Sequence, residues 1–184
     1  MNRLVGLVLA GSLLGHVSTI LADHLPDNLQ ARGRPETNLA GINIRHAKLA
    51  DIVRRYGQPT KVIGVEERNP KIASSYHYYW IRAGVTVHIV VDRFPTDLPN
   101  WQHVSLIEVG SGTSHTIGRT GKGLKLGDRL KELKRIYGSR YYVRDTPKFK
   151  IHDVMIQWHR EEYSLVATLD RHKRITSLTL LAPE

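Results

Sequence analysis

The chain has 184 residues, a formal net charge of +10, a pI near 10.0 and no cysteine. Its 41% hydrophobic and 24% charged residues are those of an ordinary globular protein, long enough for one medium domain or two small ones. Without cysteine there is no disulfide framework, no thiol catalysis and no Cys-ligated zinc.

Residues 1–22 read as a secretory signal peptide: Arg3 in a short basic start, an apolar run from Leu4 to Leu14, then smaller residues ending at Leu21-Ala22. The strictly apolar core is shorter than the roughly 20 residues a membrane span needs, so the mature protein is expected to carry no transmembrane span. No Cys follows the apolar run, so no lipid anchor is expected. A periplasmic or secreted location follows, and it turns the reading of the charge away from nucleic acid. Anionic envelope polymer or lipid, or an acidic protein surface, becomes the expected partner. Residues 119–150 hold eleven Lys and Arg against Asp128, Glu132 and Asp145, which is most of the net charge.

Residues 23–40 are polar, with Pro26, Gly33 and Pro35 and no apolar period, and predict a flexible lead-in. Leu49, Ile52, Val53 and Tyr56 then form a helical stripe within a helix predicted over Ile44 to Tyr56, closed by Gly57 and Pro59. A strand over Lys61 to Val65 leads into an aromatic hairpin, Tyr76 to Asp92, turning at Ala83-Gly84. A loop over Arg93 to Gln102 and a strand over Val104 to Val109 follow. Residues 110–114, Gly-Ser-Gly-Thr-Ser, read as a linker.

Beyond the linker the pattern restarts. Leu126, Leu130, Leu133 and Tyr137 form a second helical stripe ending at Gly138. Strands are predicted over Arg140 to Arg144, Val154 to Arg160, Tyr163 to Asp170 and Ile175 to Leu181. Trp158 falls on Trp80, Arg160 on Arg82, Leu169 on Val91 and Asp170 on Asp92, all at one constant spacing. The expected fold is therefore α+β: two tandem repeats (41–109 and 115–184), each a helix packed on a four-stranded antiparallel meander sheet.

The phrase from Lys122 to Asp128, a short helix closed by Tyr137-Gly138 and a meander after it resemble the β-lactamase-inhibitor-protein-like fold, shared by small envelope proteins of the SmpA/OmlA type. The resemblance covers about residues 41–183. It implies sheets joined into a curved surface, with helices on one face and protein binding on the other. Enzyme inhibition of the β-lactamase-inhibitor type is a further implication, although the hairpin tip Arg82-Ala83-Gly84 lacks an acidic plug and the repeats lack their cysteines.

A two-residue turn at Ala83-Gly84 sets Trp80 opposite Val87, Tyr78 opposite Ile89 and Tyr76 opposite Val91, all on a core face. In the second copy Trp158 opposes Leu165, Ile156 opposes Ala167 and Val154 opposes Leu169. The other face carries His77, Tyr79 and His88 from the first copy and Met155, Gln157 and His159 from the second. Free of Lys and Glu in the residues assigned to it, that face predicts an exposed partner-binding surface. Lys122, Lys125, Arg129, Lys134 and Arg135 form the predicted anionic-ligand patch.

Chemistry is sparse. His77, His88 and His159 could approach one ion, yet no HxH or HExxH spacing occurs, and neither a metal nor a cofactor is expected. The acidic residues gather at turns, and no GxSxG, P-loop or dinucleotide glycine motif is present, so the chain is expected to bind rather than to catalyse.

Overall fold

The computed structural model describes residues 29–65, 74–91, 102–110, 113–114, 116–146, 151–158 and 163–183. The expected signal peptide, the loop after Asp92 and His159 lie outside the described residues. Two short strands, β1 (Asn38–Leu39) and β2 (Ile42–Asn43), pair with each other. Helix α1 (Leu49–Tyr56) precedes β3 (Lys61–Val65), β4 (Ser74–Trp80), β5 (Val85–Val91) and β6 (Gln102–Val109). Helix α2 (Leu130–Tyr137) precedes β7 (Tyr142–Thr146), β8 (Ile151–Gln157), β9 (Ser164–Leu169) and β10 (Ile175–Leu181).

The expectation of two repeats, each a helix on its own four-stranded sheet, is corrected. The molecule is mostly β, and β3 to β10 form a single eight-stranded antiparallel sheet in the order β3-β4-β5-β6-β10-β9-β8-β7. Its centre is the pairing of β6 with β10, where Val109 meets Leu178 and Ile107 meets Leu180. In separate sheets each of these strands would be an edge with unpaired backbone groups; joining them removes both edges. Among the described residues, two α-helices of eight residues accompany the sheet. The first starts at Leu49, not Ile44, because Asn43 diverts the preceding chain into turns. Its Oδ1 accepts the Arg45 N–H at 3.1 Å and its carbonyl accepts the Ala47 N–H at 2.9 Å.

Both hairpins are shifted from the expected register, and in the same way. Trp80 opposes Val85, Tyr78 opposes Val87 and Tyr76 opposes Ile89. Ile156 opposes Leu165 and Val154 opposes Ala167. In the first hairpin a 3₁₀ turn over Ile81–Ala83, closed by Gly84 in the left-handed region (φ 64°, ψ 30°), replaces the two-residue loop. A slip of two residues keeps each side chain on its face, because side chains alternate with period two.

Trp80, Val85, Ile107, Val109, Val154, Ile156, Leu165, Ala167, Leu178 and Leu180 are buried and belong to one continuous core with Ile52 and Leu133 of the helices. The described part of the lead-in, residues 29–40, expected to be flexible, contributes to it. Ala31, Leu39 and Ala40 are buried in that core, and the Ala31 N–H donates to the Gln157 carbonyl at 2.8 Å. Glu36, 2% exposed, accepts from the N–H groups of Thr37, Asn38 and Lys122 and from the Tyr137 hydroxyl. The polar composition of this stretch hides one buried acceptor that anchors it.

The stretch 110–114 is likewise packed where described. The Gly110 N–H and the Thr113 hydroxyl both donate to the Gly84 carbonyl, at 3.3 and 2.6 Å, and Thr113 is buried. Among the described residues no helix is long and apolar enough to cross a membrane.

Candidate interface on the sheet

The core face is covered by the helices; the opposite face of the sheet carries the predicted binding residues. Strand registers place Lys61 and Ile63 of β3, His77 and Tyr79 of β4, Thr86 of β5 and Glu108 of β6 side by side there. His77 and Tyr79 stack, with ring centroids 6.4 Å apart and planes at 27°, and Lys61 Nζ stands 6.0 Å from the Tyr79 ring. A lysine over an aromatic face is attracted by the ring quadrupole, which holds both in place. His77 opposes His88, whereas the expected register set Tyr79 opposite His88; Tyr79 meets Thr86 instead.

The predicted site divides in two. His77 and Tyr79 are partly exposed. Met155 and Gln157 are only 8% and 6% exposed, and their neighbours Ser164 and Leu181 on the same face are also buried. The expectation of an open face over β8 is corrected: a partner meeting His77 and Tyr79 has no access to these two side chains. The side chain of His88 and all of His159 lie outside the described residues.

Glu108 is the residue that sequence reasoning missed. It sits on β6 between Thr86 and Thr179, at the junction of the two halves, and accepts from the Ser177 hydroxyl at 3.3 Å. Burial raises its carboxyl above the ordinary carboxylate range, and the Ser177 bond pulls it partly back. Tyr79 is raised first by burial and then by the nearby Glu108 charge. Burial lowers His77 and His103, so both favour the neutral imidazole. The signal for Glu108 was its period-two position with Leu106, which gains meaning only once β6 is laid beside β5. Among the described residues no group of three His, Cys, Asp or Glu is arranged to hold a metal ion.

The predicted anionic-ligand patch also divides. Lys122 Nζ donates to the Arg34 carbonyl at 2.7 Å and lies 5.3 Å from the Tyr137 ring and 5.5 Å from the Trp158 ring. Lys134 covers Tyr141 at 5.4 Å, and Arg135 pairs with Glu132 at 2.8 Å. All three have an intramolecular partner and stay exposed. Lys125 and Arg129 remain exposed, and bridges set Arg119 beside Lys125 and Arg174 beside Arg129, with exposed Lys173 next in the chain. The acidic residues within the group are engaged by backbone N–H groups: Asp128 accepts that of Lys125, and Asp170 accepts those of His172 and Arg174. Backbone bonds from Arg174 and His172 hold the Asp170 carboxyl below its ordinary range, the first of them being the larger influence.

No protein-family model matches the chain, and no curated protein matches it. Among solved structures it is similar to a DUF4309 family protein (YjgB) from Bacillus subtilis. That likeness has a TM-score of 0.43 and 18% identity over 90% of this chain and 92% of the other.

Proposed function

We propose that the protein is a non-enzymatic extracytoplasmic binding module that takes a protein partner on the open part of the sheet face, around His77 and Tyr79. One observation carries this reading: a stacked imidazole–phenol pair, steadied by Lys61, is partly exposed on a face the helices leave uncovered. Aromatic side chains held rigid in this way offer large contact area at little entropic cost, as interface centres require. Met155 and Gln157, buried on the β8 side of the same face, do not touch this partner.

The experiment is cross-linking and capture from envelope extract by wild type and by a His77→Ala/Tyr79→Ala variant, with the two thermal midpoints compared. The variant is expected to lose a specific captured band while unfolding cooperatively. An unchanged set of bands from a folded variant sinks the reading.

A second reading rests on the exposed cluster of Arg119, Lys125, Arg129, Lys173 and Arg174, whose acidic neighbours are turned into backbone bonds. Such a cluster suits docking on anionic envelope polymer or lipid. Binding to vesicles of phosphatidylglycerol is then expected to fall steeply between 50 and about 500 mM salt, as screening shortens the reach of the charges. Lys125→Glu/Arg129→Glu should abolish it, and binding that ignores both salt and the substitutions excludes this role.

A further inference from the structure

The sheet ends in two edge strands of five residues, β3 and β7, and they are guarded differently. Native proteins protect an edge with charges, proline or bulges, because its unpaired N–H and C=O groups otherwise recruit another strand. In β7 the sequence Tyr142-Val143-Arg144-Asp145-Thr146 has a charged pair at its third and fourth positions. In β3 the sequence Lys61-Val62-Ile63-Gly64-Val65 has a charge only at its first residue, with no proline, and it pairs with β4 at five consecutive positions without a bulge. Val62 is 48% exposed on the core side of the sheet and Ile63 is 37% exposed on the other. An exposed, regular edge that is apolar on both faces is built to receive a strand.

We infer that β3 pairs antiparallel with β3 of a second copy of this chain, about a two-fold axis at Ile63. The occupant follows from self-complementarity. A two-fold axis perpendicular to the sheet keeps each face continuous and sets Ile63 opposite its own copy, Val62 opposite Gly64 and Lys61 opposite Val65. No like charges oppose one another. Gly64 lacks a side chain, and the Tyr76 ring lies over it, 3.0 Å from where a Cβ would stand. Each Val62 thus packs against the edge of the Tyr76 ring that covers the copy's Gly64, once on each side of the axis. The same operation on β7 sets Arg144 opposite Arg144, which repels, so the choice falls on β3.

A five-residue edge buries less than the roughly 1,200 Å² at which standard interfaces begin, so the dimer is weak, with a dissociation constant on the order of 10⁻⁴ M. The charge of +10 on each copy opposes it. Salt therefore strengthens this association, the reverse of its effect on anion docking.

Sedimentation of the purified protein from about 10 µM to 1 mM, at 50 and about 500 mM salt, tests the inference. A monomer–dimer equilibrium that shifts to dimer with concentration and salt is expected. Ile63→Lys should leave a monomer with an unchanged unfolding midpoint, and Val143→Lys on the other edge should leave the dimer intact. Because the chain has no cysteine, Ile63→Cys adds a second readout. Under mild oxidation it should yield a disulfide-linked dimer, and Val143→Cys should not. A protein that is monomeric throughout the range, or equal cross-linking at both edges, overturns the proposal. Neither result bears on capture by His77 and Tyr79.

Discussion

Replacing Glu36 by alanine is expected to lower the stability of the protein by about 3 kcal/mol, read as a shift of the urea midpoint at unchanged slope. The carboxylate is buried and accepts four hydrogen bonds: from the N–H groups of Thr37 and Asn38 at 3.0 Å each, from Lys122 N–H at 3.1 Å and from Tyr137 Oη at 2.7 Å. Alanine leaves three part-buried backbone donors without their acceptor, and desolvation without a partner is the larger part of the cost. Tyr137 keeps one partner, the Thr120 hydroxyl at 2.8 Å. Its phenol titrates above its ordinary range, first because it is buried and then because the Glu36 charge faces it, so it acts as a neutral donor at all working pH values. Glu36→Gln discriminates further. An amide presents an N–H₂ group where one of two donor pairs now meets a carboxylate oxygen, so the loss should approach that of alanine. Recovery of most of the stability by glutamine would show that shape, rather than acceptor capacity, anchors the segment. Glu132→Ala, which removes an exposed pair with Arg135, should leave the midpoint unmoved.

The contrast between those two glutamates shows where the sequence could be read and where it could not. Local chemistry was legible. The ends of both helices, the two closing glycines and the strands at 61–65 and 175–181 lie where period and punctuation put them, whereas the helices begin at Leu49 and Leu130, later than the predicted Ile44 and the stripe from Leu126. Long-range chemistry was not. Glu36 in a polar run looks like every other solvated glutamate, because its partners Lys122 and Tyr137 are more than eighty residues away. The β6–β10 pairing likewise depends on two edges finding each other across the chain, and nothing within β6 alone marks its free side. Two separate small sheets and one large sheet share the same local pattern, and only burial of those edges decides between them.

The candidate site followed the same division. Period-two alternation assigned His77 and Tyr79 to the face away from the helices, and an even register slip preserved that assignment although every cross-strand pair changed. The openness of the face was beyond the pattern. Met155 and Gln157 alternate like Tyr79 and carry no charge, yet they are buried. Alternation fixes the side of a sheet and says nothing of what lies upon it.

Gly84→Ala is expected to cost about 2–3 kcal/mol, because the residue sits where two constraints coincide. Its φ of 64° lies in the left-handed region, which an alanine enters at about 1 kcal/mol. A Cβ there would also stand 2.7 Å from the Thr113 backbone nitrogen and 3.0 Å from its Cα. Backbone atoms cannot rotate away as a side-chain end can. Thr113 is itself fixed, by its hydroxyl on the Gly84 carbonyl and its N–H on the Gly110 carbonyl. The collision is therefore relieved only by parting the hairpin end from the 110–114 stretch. Asparagine separates the two causes, since it tolerates the left-handed region yet carries the same Cβ. If the close approach dominates, Gly84→Asn should be as destabilising as alanine; if the backbone angle dominates, it should restore most of the loss. Gly110→Ala is the control, with an ordinary φ and open space around the new methyl, and should shift the midpoint by no more than about 0.5 kcal/mol. The four-residue connection that moved both strands by one pair is thus held by contact with a distant segment, which is why a turn rule applied to Ala83-Gly84 alone chose the shorter loop.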